Sequence, residues 1–333
     1  MKVLVTGAAG FIGSMTSVSL IKSGHEVTAI DNFNNYYSND LKKARVKSLL
    51  NPLGIDVANI DISDSNRIQE IIEFEKPDTI FHFAAQAGVR LANSEITKYV
   101  QSNLLGFSNV LLSAVNSQIP NLLYASSSSV YGDSNNFPYV ETDLTLRPIS
   151  FYGATKLANE LLAPTLIRNS FTKARGLRFF TVYGPWGRPD MAYFRLISAG
   201  MNNTEFNLFG DGSVIRDFTY IDDVVSTVEQ LASNLAKQKF GFHDVVNVAG
   251  GNPASLNQMI AEISMQLGNR ISIAESRMHS NDVKKTLADT KYLESLSLDI
   301  PQTLIDEGIS KVVRWASDGK ISPKLRTWVE SSN

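Results

Sequence analysis

The chain has 333 residues, 43% of them hydrophobic and 19% charged, with 31 Lys and Arg set against 33 Asp and Glu for a formal net charge of -2. That balance excludes nucleic acid as the main partner. The absence of Cys excludes disulfides, thiolate nucleophiles and Cys-based zinc sites, and the four scattered His lack metal-ligand spacing, so no metal is expected.

Short apolar runs alternate with helical patterns as far as residue 181. Strands are predicted over 2–6, 26–31, 79–83, 121–126 and 176–181, with helices over 12–23, 67–73, 99–116 and 152–170 between them. Gly24 stands where a helix C-cap is expected, and Pro164 predicts a kink or break in the helix that holds it. This alternation predicts an α/β protein with a doubly wound parallel sheet over 1–181. Beyond Tyr183 the run Gly-Pro-Trp-Gly-Arg-Pro is too irregular for that sheet. A smaller mixed α/β lobe is expected over 182–333, with a helix over 257–267 and later elements near 215–248 returning to the sheet. No apolar run approaches the roughly 20 residues that cross a bilayer. The start lacks a signal-peptide pattern, so no membrane segment and a cytoplasmic location are expected.

Two local patterns carry chemistry. The first, Thr6-Gly7-Ala8-Ala9-Gly10-Phe11-Ile12-Gly13, follows a strand and opens a helix. Glycines there let backbone approach a pyrophosphate, which the free N–H groups and dipole of the helix N-terminus attract. Asp31 ends the next strand, with Asn32 beside it. Its carboxylate suits a ribose 2′-hydroxyl and repels a 2′-phosphate, which favours NAD over NADP. The second is Tyr152 with Lys156, four residues apart on one helix face. A phenol titrates near about 10, and lowering it to about 7 takes roughly 4 kcal/mol. An ammonium at about 4 Å supplies that much at an effective dielectric of about 20, which makes the pair an acid/base for an alcohol proton.

The spacing Gly-x-x-Gly-x-x-Gly with Tyr152-x-x-x-Lys156 resembles the extended branch of the short-chain dehydrogenase/reductase superfamily, over essentially the whole chain. The resemblance implies a Rossmann-type NAD-binding domain. It puts Asp61 and Ile62 at the adenine, and His82-Phe83-Ala84-Ala85 beneath the cofactor, so that Phe83, Ala84 and Ala85 touch it. Asn103 would support the active site. A hydroxyl near the end of the fifth strand completes the catalytic set, and in Tyr124-Ala-Ser-Ser-Ser-Ser-Val-Tyr-Gly132 the match is Ser127, with Ser128 as alternate. Dehydratases and decarboxylases of the superfamily have carboxylates just after this hydroxyl; here Ser128 and Ser129 stand there, which disfavours elimination.

Within that branch, Thr181-Val-Tyr-Gly-Pro-Trp-Gly-Arg-Pro-Asp-Met-Ala192 is similar to the signature loop of UDP-glucuronate 4-epimerases. So are Asp31-Asn-Phe-Asn-Asn-Tyr-Tyr37 with Leu41-Lys-Lys-Ala-Arg45, and Ala84-Ala-Gln-Ala-Gly-Val-Arg90. A UDP-uronate carries a diphosphate and a carboxylate, which Arg binds well, and Arg90, Arg188 and Arg216 are the candidates. The resemblance puts Arg216 and the Arg188 loop at the diphosphate, Thr181 with Ser128 at the carboxylate and Asp282 at the uridine ribose. It further implies a homodimer built as a four-helix bundle from the helices near Tyr99 and Tyr152. The expected activity is NAD-dependent 4-epimerisation of a UDP-sugar, with UDP-glucuronate foremost. Alternatives are a UDP-glucose or UDP-N-acetylhexosamine 4-epimerase, a UDP-glucuronate decarboxylase, or a non-catalytic NAD-binding regulator.

Overall fold

A computed structural model describes residues 1–89, 95–277 and 283–332. The chain opens with β1 (Lys2–Thr6), α1 (Phe11–Lys22) and β2 (Glu26–Asp31). Next come α2 (Asn39–Arg45), which continues as π and 3-10 turns to Leu53, then β3 (Val57–Asn59), α3 (Ser65–Glu75) and β4 (Thr79–His82). α4 (Ile96–Tyr99), a π-helical stretch (Val100–Gly106) and α5 (Phe107–Asn116) run on as one rod into β5 (Asn121–Ser127) and a 3-10 turn (Ser128–Tyr131). α6 (Phe151–Ile167), β6 (Lys173–Phe179) and β7 (Thr181–Tyr183) follow.

The later part holds α7 (Ala192–Asn202), β8 (Glu205–Phe209), β9 (Ile215–Tyr220), α8 (Ile221–Ala236) and β10 (His243–Val248). It ends with β11 (Pro253–Ser255), α9 (Leu256–Leu267), β12 (Ser272–Ser276), α10 (Lys291–Ser295), α11 (Ile305–Ala316) and α12 (Ser322–Glu330).

Seven parallel strands form the central sheet in the order β3-β2-β1-β4-β5-β6-β10. Helices cover both faces, so the strands are apolar on both sides. Val3 and Val5 pack into one core cluster and Leu4 into the other, the alternation a pleated strand imposes. The chain reverses direction of growth between β1 and β4, and an open α/β sheet forms its ligand crevice at that point. β7, β9 and β11 make a three-stranded sheet, and β8 pairs with β12, both beyond the carboxyl ends of the central strands.

Two expectations shift. β6 begins at Lys173 and stops at Phe179, because Phe180 breaks the pairing between the central sheet and β7 although the apolar run continues through it. Pro164 does not break α6, which runs to Ile167. It lies in the last turn, where the one bond its missing N–H removes leaves only a few residues beyond it to be misdirected, and Ala163 and Ile167, fully buried on either side of it, hold the turn in place.

Candidate active site

The site is a cavity of about 400 Å³ at the β1/β4 reversal. On its floor the chain leaves β1 at Gly7, where φ is +74° and an added Cβ would lie 2.7 Å from the Ala84 nitrogen. A Cβ on Gly13 would sit 2.2 Å from the Gly7 carbonyl oxygen, so only glycine lets α1 start this close to β1. Gly10 caps α1 without any side-chain acceptor. The first-turn N–H groups are left for a ligand, and Gly10, Phe11, Ile12 and Gly13 all line the cavity. Asp31 is buried at the end of β2; its carboxylate accepts from the Ala9 N–H at 3.1 Å and the Phe33 N–H at 2.8 Å. A cradle of free N–H groups next to an anchored carboxylate fits a dinucleotide and opposes a 2′-phosphate.

Asn32 lines the cavity and donates to Asp61 at 2.8 Å. Burial pushes the Asp61 carboxyl up, but hydrogen bonds from Asn32 and from the Ser63 N–H and hydroxyl outweigh it and hold it below the ordinary value. Asp61 itself stands just behind the wall that Ile60 and Ile62 form. Phe83, Ala84 and Ala85 line the floor after β4. Beneath them Thr6 Oγ1 meets His82 Nδ1 at 2.8 Å and accepts from the Ala84 N–H at 3.2 Å. Burial, then the nearby Lys156 charge, pushes His82 down to about 3, so it stays neutral. Asn103 does not line the cavity. Its amide is spent on the Gln86 backbone (2.8 and 3.1 Å) and on Thr155 Oγ1 (3.1 Å), which ties the floor to α6.

α6 supplies the reactive groups. Ser150 caps it by accepting from the Gly153 N–H at 3.0 Å, which fixes Tyr152 in the first turn. Ser127, at the end of β5, lines the cavity with Tyr152, and its hydroxyl is one of the groups that oppose the upward push of burial on the phenol. All four serines line the cavity: Ser126 donates to Glu160 at 2.5 Å, Ser127 donates to Ser129 Oγ at 3.1 Å, and Ser128 opens the 3-10 turn. Lys156 Nζ donates to the Ala125 carbonyl at 2.9 Å and lies 5.8 Å from the centre of the Tyr152 ring. Burial pushes Lys156 down to about 8 against the pull of Glu160. The expected drop at Tyr152 is absent: burial pushes the phenol up, and the opposing influences are the Arg188 charge and the Ser127 hydroxyl. The reason is distance and solvation, since the ammonium faces Ala125 rather than the phenol and the ring is removed from water.

The opposite wall is built of side chains from β7, β9 and the loops of the later part of the chain. Thr181, Arg188 and Arg216 line it, together with Val283 and Thr286. Asp190 grips Arg188 through Nε (3.0 Å) and a terminal nitrogen (2.5 Å), and the Tyr36 hydroxyl donates to Asp190 at 3.2 Å. One edge of the guanidinium fork is therefore taken. Arg216 donates to the Ile215 carbonyl at 2.9 Å. Arg90 and Asp282 lie outside the described residues.

Lys42 and Tyr36 are among the cavity residues that escaped the sequence reading as individuals. Lys42 lines the site, held by the Asn34 carbonyl (2.6 Å) and side chain (3.0 Å), and burial pushes it down to about 8. No periodicity signals that the Tyr36 loop folds back to Asp190. Glu160 lies behind the site, and a signal for it existed: it stands one more helical turn beyond Lys156.

The profile of the NAD dependent epimerase/dehydratase family matches residues 3–249. A probable UDP-glucuronate 4-epimerase of Rhizobium meliloti (strain 1021) is 35% identical, with 95% of this chain and 96% of that protein covered. A UDP-glucuronate 4-epimerase of Arabidopsis thaliana is 39% identical over 94% of this chain and 74% of its own length. Among solved structures, the Bacillus cereus UDP-glucuronic acid 4-epimerase in complex with UDP-glucuronic acid and NAD superposes with a TM-score of 0.86 at 32% identity, covering 95% of this chain and 98% of that one.

Proposed function

The chain belongs to the NAD dependent epimerase/dehydratase family, and from that premise we propose that it interconverts UDP-glucuronate and UDP-galacturonate through a transient 4-keto sugar. The observation that carries the reading is one cavity lined by Ser127, Tyr152 and Lys156, by the glycine loop on one side and by Thr181, Arg188 and Arg216 on the other.

On the floor, Gly7, Gly10, Phe11, Ile12 and Gly13 would hold the pyrophosphate of NAD. Asp31, with Asn32 and Lys42, would take the adenosine ribose, while Ile62 flanks the adenine and Asp61 fixes Asn32. Phe83, Ala84 and Ala85 form the seat below the nicotinamide. NAD+, when bound, supplies a hydride acceptor for C4 of the sugar. Tyr152, as phenolate, takes the proton of the C4 hydroxyl and returns it when the sugar is reduced on its other face. Ser127 bonds the same oxygen, and Lys156 and Arg188 supply positive charge around it. Because the phenol is pushed up by burial, these groups are needed to make it a base near neutrality. Thr181 and Ser128 hold the uronate carboxylate so that its C–C bond stays out of line with the 4-ketone, which keeps CO2 in place. Arg216 and Arg188 meet the diphosphate. Arg90 and Asp282 belong to the same proposal, at the substrate and its uridine ribose.

A homodimer is part of this reading, supported by apolar side chains left exposed on two helical elements: Val100, Leu105 and Leu112 on the α4–α5 rod, and Leu161, Leu162 and Leu166 on α6. Among the described residues no helix is long and apolar enough to cross a membrane; a cytoplasmic place, with the product serving polysaccharide synthesis, is proposed with the activity. The test is incubation with UDP-glucuronate, UDP-glucose and UDP-N-acetylglucosamine, resolving epimers from pentose products. UDP-galacturonate is expected from the first. Release of CO2 as the main outcome, or turnover of the neutral sugars alone, would sink the proposal.

A further inference from the structure

We propose that Glu160 and Arg178 form a positioning unit that keeps Lys156 charged and seats the Ser127 end of β5 against α6. The inference rests on the epimerase reading of the site but concerns residues behind it. Glu160 is buried one helical turn beyond Lys156. One carboxylate oxygen accepts from Ser126 Oγ at 2.5 Å and from Arg178 Nε at 2.9 Å, and the other from a terminal Arg178 nitrogen at 2.8 Å. Ser126 and Ser127 are neighbours on β5, and Lys156 bonds the Ala125 carbonyl just before them. Two consecutive residues of the strand end, Ala125 and Ser126, are thus tied to α6 at Lys156 and Glu160, and Ser127 follows them directly. Arg178 extends the unit to the Tyr131 hydroxyl at 2.8 Å, which donates to Asn247 at 2.7 Å. Asn247 in turn bonds the Tyr139 and Asp289 carbonyls at 2.9 and 3.3 Å, so the unit reaches the segment that brings Thr286 to the cavity.

The charge argument follows from what faces each group. Lys156 is faced by neutral His82 from β4 and by Tyr152 and Glu160 on its own helix. Glu160 is faced by Ser126 and Tyr124 from β5, Arg178 from β6 and His243 from β10. Glu160 is the anion that opposes the loss of the Lys156 proton on burial. With the carboxylate removed, Lys156 would lose the anion that opposes its burial and give up its proton more readily.

The test pairs two changes that a merely structural network would not separate. In Glu160→Gln with Arg178→Met, the buried pair is removed without leaving an orphan charge, and the Gln oxygen can still accept from Ser126. The alkaline limb of the kcat profile should move down by about one pH unit. In Arg178→Met alone the carboxylate remains, and the limb should stay or move up. The Lys156 titration is also followed directly by the 13Cε shift of labelled lysine, assigned with Lys156→Met, and its midpoint should move with the limb. If both variants lose rate or Tm equally at all pH values, with limb and midpoint unmoved, the proposal is overturned. The midpoint needs no turnover, so failure of wild-type protein to epimerise UDP-glucuronate would sink the functional reading alone.

Discussion

The floor of the cavity and its opposite wall are made in different ways. The floor is backbone: first-turn N–H groups of α1, the Gly7 turn, and the Asp31 carboxylate held by two N–H groups of its own chain. The wall is long side chains, Arg216 on β9 and Arg188 on the loop after β7 above all, with Arg188 clamped by Asp190. A backbone site has one shape and suits a ligand that does not change. A side-chain site can adjust its contacts while a sugar turns over between two faces.

That contrast predicts an order of effects, and it fails if a wall substitution costs more than a floor one. Tyr152, where the two meet, comes first: Tyr152→Phe should lower kcat about 10³-fold, with NAD content and Tm unchanged. Gly13→Ala puts a methyl 2.2 Å from the Gly7 oxygen; a destabilisation of about 1–3 kcal/mol and loss of bound NAD are expected, measured by melting and cofactor release. Asp31→Ala should weaken NAD about tenfold, the worth of a charged hydrogen bond, and narrow the gap to NADP in titration calorimetry. On the wall, Asp190→Asn frees Arg188 from a partly exposed pair, and KM for the UDP-sugar should change by about fivefold or less, kcat by less still.

The smallest effect on turnover, but a visible one on stability, concerns Asp217. Burial raises its carboxyl from 3.8 to about 6 against a hydrogen bond from the Ala288 N–H. The folded state binds this proton more tightly than the unfolded chain does. Its contribution is therefore complete below about pH 4 and lost as pH rises through about 6. Asp217→Asn should flatten Tm across that window.

The floor was legible because its chemistry is local: a glycine turn between a strand and a helix, an acid at the end of the next strand, and a Tyr and Lys one helical turn apart can be read by counting. The hydroxyl beside Tyr152 was legible only to within a run of serines, since the placing of each depends on where β5 ends and the 3-10 turn begins. The π-helical stretch around Asn103 carries no period of its own, and the role of Asn103 as a tie between Gln86 and Thr155 joins three segments far apart in the chain. Lys42 and Tyr36 were hidden for the same reason. The charge acting on Tyr152 was misplaced because helix spacing gives the direction of a side chain and says nothing of the carbonyl that captures its tip, as Ala125 does for Lys156.

Arg45 is fully buried, and its guanidinium reaches the Ala9 carbonyl in the glycine loop at 3.1 Å, the Tyr37 hydroxyl at 2.7 Å, and the Trp186 and Gly187 carbonyls at 2.8 and 2.9 Å. One side chain from the nucleotide half thus grips the root of the wall loop by its main chain, whatever side chains follow. Residues 188–192 are in effect a cassette on a fixed mount. Side chains can be exchanged there without moving the loop's base away from the glycine turn.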